Sequence, residues 1–313
     1  MSDIHNRIEK LTPEKRRLLE MMIRRQAEEE VQAVPDTAPM QEMERIEPVS
    51  EENFTDKTEV RRFYNAVNRQ LNASAFGDAS FFLNYGYAPN DSPAYSRIKL
   101  PDNTLNKNPT RLVLEVIGDC EVRPGDNLLD VGCGRGGTVT VFQKFFSFNR
   151  IVGMDLSSQA VAFNHRTHNF DNAWFLEGDA QVLPFRTAYF NIVTNIESSH
   201  GYKDIEAFWK EVCRVLKPGG HFLYTDLFAV DKIDETLARL DDIGLAQRRR
   251  TDITGNVLLS CDEVADTHAR AYSGDNDADF MGNFLAQPNS PVYNEMKSGK
   301  SKYMIFKLQK KDN

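Results

Sequence analysis

Residues 128–137, LLDVGCGRGG, constrain the fold of this chain more than any other stretch. An apolar strand runs directly into three closely spaced glycines and then into a helical pattern. Without a Cβ, Gly132, Gly134 and Gly136 let main-chain N–H groups and a helix N-terminus approach a ligand at van der Waals distance. Gly132, Gly134 and Gly137 also satisfy the spacing G-x-G-x-x-G, so the loop alone leaves a dinucleotide-binding fold open. Either ligand calls for an acidic residue about 20 positions further on to hold a ribose diol. Asp155, closing the next apolar run in RIVGMDLS, supplies it.

The rest of the chain fits a sheet built around that loop. From residue 111 onward, helical periods alternate with short runs rich in Val, Ile, Leu or Phe, the pattern of β-α-β units in an α/β fold. Strands are expected at 127–131, 150–154, 173–177, 190–196 and 220–226, with a sixth at 248–253 and a seventh at 302–309. Residues 256–272 read as a helix, and 273–300 as a long Gly, Asn and Pro segment. Upstream, Thr12 as N-cap and Pro13 at the first helical position start a helix to about residue 30, with Leu18, Leu19, Met22 and Ile23 at helical spacing. Residues 31–52 are an acidic linker with Pro35, Pro39 and Pro48. The stretch 53–108 is aromatic, and its N-Y-G-Y-A-P turn predicts helices broken by a loop. Three parts follow: 1–52, helix and linker; 53–110, a helical lid; 111–313, the core.

Composition removes several function classes. The 313 residues contain no apolar run near the roughly 20 needed to span a bilayer, and the charged start does not resemble a secretory signal. A cytoplasmic protein is expected. Cys120, Cys133, Cys213 and Cys261 are far apart, which argues against a disulfide framework or structural zinc. The net charge of -8 disfavours nonspecific nucleic-acid binding, and the Arg248–Arg250 triplet reads as solvated charge. Six histidines show no ligand spacing, so no metal is expected; Asp226 near Glu197 is the one place for it.

Three further features separate the two nucleotide folds. Asp130, just before the glycines, suits the ammonium group of an amino-acid moiety and not a pyrophosphate. In EGDAQVLPF, the Asp179 carboxylate suits an adenine amino group and the Ala180 N–H the ring nitrogen. The L-K-P-G-G turn at 216–220 enters the fifth strand. Together LLDVGCGRGG, GMDLS, EGDAQVLPF and VLKPGG resemble the class I S-adenosylmethionine-dependent methyltransferases, strongly over about residues 111–228 and more weakly in the closing strand SGKSKYMIFKLQKK.

That resemblance implies a Rossmann-like seven-stranded sheet with the last strand antiparallel and helices on both faces. It implies S-adenosylmethionine as methyl donor and S-adenosylhomocysteine as product. Asp130, Gly132 and Gly134 would contact the aminocarboxypropyl part, Asp155 with Leu156 the ribose, and Asp179 with Ala180 the adenine, with Tyr64 of the lid on the donor side. An oxidoreductase using a nicotinamide cofactor and a noncatalytic donor-binding relative are the alternatives.

The chemistry is expected after the fourth strand, in NIESSHGY. Methyl transfer from a sulfonium is an in-line displacement that positioning alone can favour, with a base needed only when the acceptor must lose a proton. His200 is the leading candidate base and Glu197 the second. The E-S-S-H variant, with N-Y-G-Y at 84–87, resembles methyltransferases of lipid and natural-product pathways, including phthiotriol, tocopherol and terpenoid or prenylated substrates. A hydrophobic small-molecule acceptor in secondary metabolism is therefore expected, against Phe82, Tyr85, Tyr87, Tyr202 and Phe228, with its carbon, oxygen or nitrogen open. LTPEKRRLLEMMIRR resembles short helical segments of nonribosomal peptide and polyketide synthases, which implies docking on a biosynthetic partner or on a second copy in a homo-oligomer.

Overall fold

The computed structural model describes residues 57–73, 77, 80–89, 93–101, 103–272 and 284–312. The helix expected over 12–30 and the acidic linker up to residue 52 lie outside them. Seven strands make one mixed sheet: β1 (Asn127–Val131), β2 (Arg150–Asp155), β3 (Ala173–Glu177), β4 (Phe190–Ile196), β5 (Leu216–Ala229), β6 (Leu245–Asp252) and β7 (Ser301–Lys310). Their order is β3-β2-β1-β4-β5-β7-β6. The first five are mutually parallel and β7 runs antiparallel between β5 and β6.

Helices connect the strands: α1 (Thr58–Ala73), α2 (Lys107–Ile117), α3 (Gly137–Phe145), α4 (Ser158–Thr167), α5 (Ile205–Val215), α6 (Ile233–Asp242), α7 (Thr254–Tyr272) and α8 (Pro291–Lys297). The strands run outward from β1 in one direction and from β4 in the other, with helices on both faces of the sheet. β1 is buried along its whole length, as a central parallel strand must be, and so tolerates a run as apolar as Leu-Leu with only Asp130 inside it. The expected helical lid and core meet inside one element, since α2 crosses residue 110 and buries Leu112, Val113, Leu114 and Ile117.

Local structure departs from the sequence reading at two places. L-K-P-G-G is a bulge within β5: Phe190 pairs with Leu216 and Ile192 with His221, so residues 217–220 stand opposite Asn191, and Gly219 takes a φ of 71°. Within the expected loop 273–300, α8 forms because Ser290 caps it, accepting from the Tyr293 N–H at 3.3 Å, and Pro291 opens its first turn.

A cover formed by α1 and residues 80–89 lies on the glycine loop. Arg135, inside that loop, is fully buried. Its guanidinium donates to the carbonyls of Ser80 and Gly77 at 2.6 Å each and to Asn72 Oδ1 at 2.8 Å, and it stacks 3.5 Å from the Phe163 ring centroid. Gly137 is required by the same approach: a Cβ there would meet the Phe82 ring at 2.5 Å, and its N–H donates to the Phe81 carbonyl.

Candidate active site

The sheet order reverses between β1 and β4, and the crevice above their carboxyl ends is where open α/β sheets bind ligands. A cavity of about 740 Å³ opens there. Its walls come from α1, the segment 81–85, the glycine loop, the ends of β2 and β3, the turn 196–202, the end of β5, Phe284 and Val292.

On one side stand backbone groups and carboxylates. Asp155 ends β2 and accepts the Gly134 N–H through Oδ2 and the Ser157 N–H through Oδ1, both at 2.8 Å. Burial raises its carboxyl above the usual range, while these two N–H groups work the other way. Gly134, at φ 51°, faces open space, for a Cβ there would find only Leu83 Cδ1, at 3.8 Å. Asp179 accepts from the Gln181 N–H at 2.9 Å and from the Lys57 ammonium of the cover. Arg61, one turn along α1, pairs with Glu177.

The other side is a polar network around Asp226. Its Oδ1 faces His200 Nδ1 at 2.9 Å, and its Oδ2 accepts the Ser199 hydroxyl at 2.6 Å and the His200 N–H at 3.1 Å. Ser199 also meets the Tyr224 hydroxyl at 2.7 Å. Burial opposes charge on the imidazole, but the charge of Asp226, its hydrogen bond and the nearby Glu197 outweigh it and raise the pKa to about 9. Burial likewise opposes ionisation of Asp226, and its bonds with His200, Ser199 and Leu227 overcome that, holding the carboxyl below its ordinary range. His200 keeps 48% of its side-chain surface accessible, because the surface it exposes is cavity wall; its Nε2 lies 3.5 Å from the Tyr64 hydroxyl.

Glu197 differs from its neighbour. It sits at φ 55°, a left-handed conformation that non-glycine residues rarely adopt and that recurs at functional sites. Its Oε2 accepts the Tyr85 N–H at 2.9 Å, and its Oε1 is buried without a partner beside the Tyr303 hydroxyl, which is also outside hydrogen-bond geometry. Burial, reinforced by the charge of Asp226, pushes this carboxyl up to about 8 against the Tyr85 hydrogen bond.

The cavity wall brings together most residues expected from the sequence: Gly132, Gly134, Asp155, Leu156, Asp179, Ala180, Tyr64, Phe82, Tyr85, Tyr202, Glu197 and His200. Three do not reach it. Asp130 pairs in register with Thr194 across β1 and β4, so their side chains share one face and the Thr194 hydroxyl donates to Asp130 Oδ1 at 2.6 Å below the crevice. Tyr87 is buried against Tyr95 in the core, and Phe228 packs between Tyr224 and Phe306, leaving Leu227 on the wall instead. Asp226, considered for a metal, is engaged by His200, Ser199 and Leu227, and no group of three or more His, Cys, Asp or Glu among the described residues is arranged to hold a metal ion. Arg135 carried no functional signal in the sequence. No helix among the described residues is long and apolar enough to cross a membrane.

Comparison with known proteins agrees with this geometry. A profile described as "Methyltransferase domain" matches residues 129–224. The fatty-acid O-methyltransferase of Mycolicibacterium smegmatis is 41% identical over 189 residues, 60% of this chain and 68% of that protein. Phthiotriol/phenolphthiotriol dimycocerosates methyltransferase 1 of Mycobacterium ulcerans is 31% identical over 66% of this chain and 74% of its own. Among solved structures, the [4+2]-cyclase SpnF superposes with a TM-score of 0.65 at 21% identity, covering 81% of this chain and 96% of its own. Geranyl diphosphate C-methyltransferase from Streptomyces coelicolor A3(2) gives 0.60 at 20% identity, covering 81% and 97%. Those two likenesses speak for the fold alone; the sequence relatives decide between the nucleotide-binding alternatives. The chain belongs to the class I S-adenosylmethionine-dependent methyltransferases, and S-adenosylmethionine is its methyl donor.

Proposed function

We propose that this enzyme methylates a carboxylate oxygen of an apolar acid, an acceptor of lipid or natural-product type. The observation that carries the reading is the protonation pattern of the two expected bases. With His200 held as imidazolium up to about pH 9 and Glu197 neutral up to about pH 8, the neutral site offers a fixed cation and hydrogen-bond donors, and no free base. A hydroxyl acceptor would need a base; a carboxylate is already a nucleophile. The fatty-acid O-methyltransferase relative carries the same substrate class in its name.

The donor's fit rests on the carboxylate side. The Asp155 carboxylate accepts one N–H on each oxygen and keeps lone pairs for a ribose diol, beside the space that Gly134 leaves open. Leu156 and Tyr64 would flank the nucleoside, Asp179 and Ala180 the adenine, and Gly132 and Gly134 the aminocarboxypropyl part. When bound, S-adenosylmethionine supplies a methyl carbon attached to a cationic sulfur. The acceptor carboxylate, oriented by His200 and the Tyr64 hydroxyl, would form the C–O bond as the C–S bond breaks, its electron pair leaving with sulfur, and no proton moves. Helix α1 and residues 81–85 act as the lid that excludes water from this step, with Phe82, Tyr85 and Tyr202 against the acceptor.

Isothermal titration calorimetry with S-adenosylhomocysteine tests the donor half, with affinity falling roughly 10- to 100-fold in Asp155→Ala and Asp179→Ala. Mass spectrometry after incubation with palmitic acid or 1-hexadecanol tests the acceptor atom. Preferential gain of one methyl by the acid supports the reading, whereas preference for the alcohol would restore His200 as a base. The segment 12–30 is assigned to docking on a biosynthetic partner or a second copy in the cytosol; deleting residues 1–50 without a change of assembly mass in light scattering would remove the second-copy version.

A further inference from the structure

The cavity must hold a nucleoside donor as well as the acceptor, and about 740 Å³ is within the range that one drug-sized ligand fills. A long apolar tail therefore has to leave it. Three parts of the wall are ill suited to hydrocarbon. The donor side carries Asp155, Asp179 and Glu177 with the cations Lys57 and Arg61. The floor is the buried Asp226–Ser199–Tyr224 network. Beyond Tyr85 lies packed core, its ring 6.2 Å from that of fully buried Tyr303.

A row of aromatic rings offers hydrocarbon a way out. Tyr64 touches His200 through its hydroxyl, the Phe63 ring stands edge-on 5.2 Å from the Tyr64 ring, and the Phe284 ring follows 6.2 Å beyond Phe63. All three line the cavity, and Phe63, the middle ring of the row, is 40% exposed, which brings the row to the surface there. The row joins α1 to the segment leading into α8, two parts of the chain far apart in sequence. It starts at the reacting end of the acceptor and meets solvent at Phe63.

We propose that Phe63 and Phe284 form the gate through which the acceptor's tail leaves the cavity, so that these two rings select a linear chain by its length. The inference rests on the carboxylate reading above for the position of the reacting end. A chain too short to reach the gate touches neither ring, and a longer one is held between them.

The test is the ratio of kcat/KM for palmitic acid to that for octanoic acid, measured on the full chain and on Phe63→Ala and Phe284→Ala. Thermal unfolding and S-adenosylhomocysteine binding are read beside it to show that each variant is folded. The ratio is expected to fall about tenfold in each variant, mostly through KM, the scale of losing a close apolar contact in a specificity pocket. A ratio within about twofold of the wild-type value in two folded variants overturns the gate. If the wild type methylates neither acid but does methylate 1-hexadecanol, the carboxylate reading fails, and the ratio of 1-hexadecanol to 1-octanol decides the gate by the same criterion.

Discussion

The two halves of the cavity are built on one sheet edge by opposite means. The donor half is local: a glycine loop and the carboxylates that end β2 and β3, with the Asp155 oxygens fixed by backbone N–H groups 2 and 21 positions away. The acceptor half is assembled across the chain, since His200 meets Asp226 across 26 positions and Tyr64 across 136. Backbone N–H groups fix Asp155 in the first, with the Lys57 ion pair on Asp179 added from the cover, and side-chain charge fixes the second. The donor half is thus robust to side-chain change except where a carboxylate contacts the ligand, whereas the acceptor half can be retuned by single substitutions.

Arg135 is the place to break that contrast, because it belongs to the donor loop yet holds the cover that completes the acceptor half. Arg135→Met would leave the Ser80 and Gly77 carbonyls and the Asn72 amide oxygen without their charged donor. Loss of about 3 kcal/mol or more follows from several buried acceptors left unmet, with a melting temperature lower by roughly 5 °C. Thermal unfolding and S-adenosylhomocysteine titration on the same sample measure it. A shift below roughly 2 °C would show that the cover adds little to the stability of the glycine loop.

The same contrast explains what could be read in advance. The strands of the donor half were legible to within a residue because each is a short apolar run ended by an acidic or turn residue, as at 127–131 and 173–177. Asp155 and Asp179 were legible because a motif ties each to a strand end. Asp130 lies off the cavity wall, and sequence position does not reveal which face of β1 it occupies; the register with Thr194 decides that. Tyr87 and Phe228 were misplaced because aromatic residues near a site are mostly core, and nothing local separates a ring that lines a cavity from one that packs behind it. The His200–Asp226 pair needed the β4–β5 pairing before its partners could be matched. The burial of Arg135 needed its acceptors from the cover. The signal for α8, Ser290 followed by Pro291, was present and was outweighed by the surrounding Gly and Asn.

Within the acceptor half, His200→Gln sharpens the comparison most. Removing a preorganised donor and charge is expected to lower kcat/KM for an acid about 10²- to 10³-fold while S-adenosylhomocysteine affinity stays within about twofold. Equal losses in both would mean that the halves are not separable. Asp226→Asn acts through His200 and shows itself in pH dependence. The folded imidazole pKa of about 9 would fall toward its ordinary value near 6.5, so the cation now present up to about pH 9 would be lost as pH rises through about 6.5. At pH 8 the variant should be roughly 30-fold less active than wild type, and at pH 6 the difference should nearly vanish. A deficit independent of pH would indicate a role for Asp226 other than charging the ring.

The smallest effect concerns Glu197, and it separates the two acceptor chemistries most cleanly. Burial raises this carboxyl to about 8, so in the wild type it is neutral below that pH and becomes an anion above it. An anion there would repel an acceptor carboxylate. The wild-type profile for an acid should therefore decline in two stages, first as Glu197 ionises near pH 8 and then as His200 loses its proton near pH 9. Glu197→Gln keeps the shape and the neutral charge but cannot ionise, so the first decline should disappear and the second remain. The expected difference is modest, about fourfold at pH 8.5, and a pH series of kcat/KM resolves it. A hydroxyl acceptor predicts the reverse sign, with activity rising through the same range as a base becomes available. An upward limb through about pH 8 that Glu197→Gln abolishes would make Glu197 the base and end the carboxylate reading.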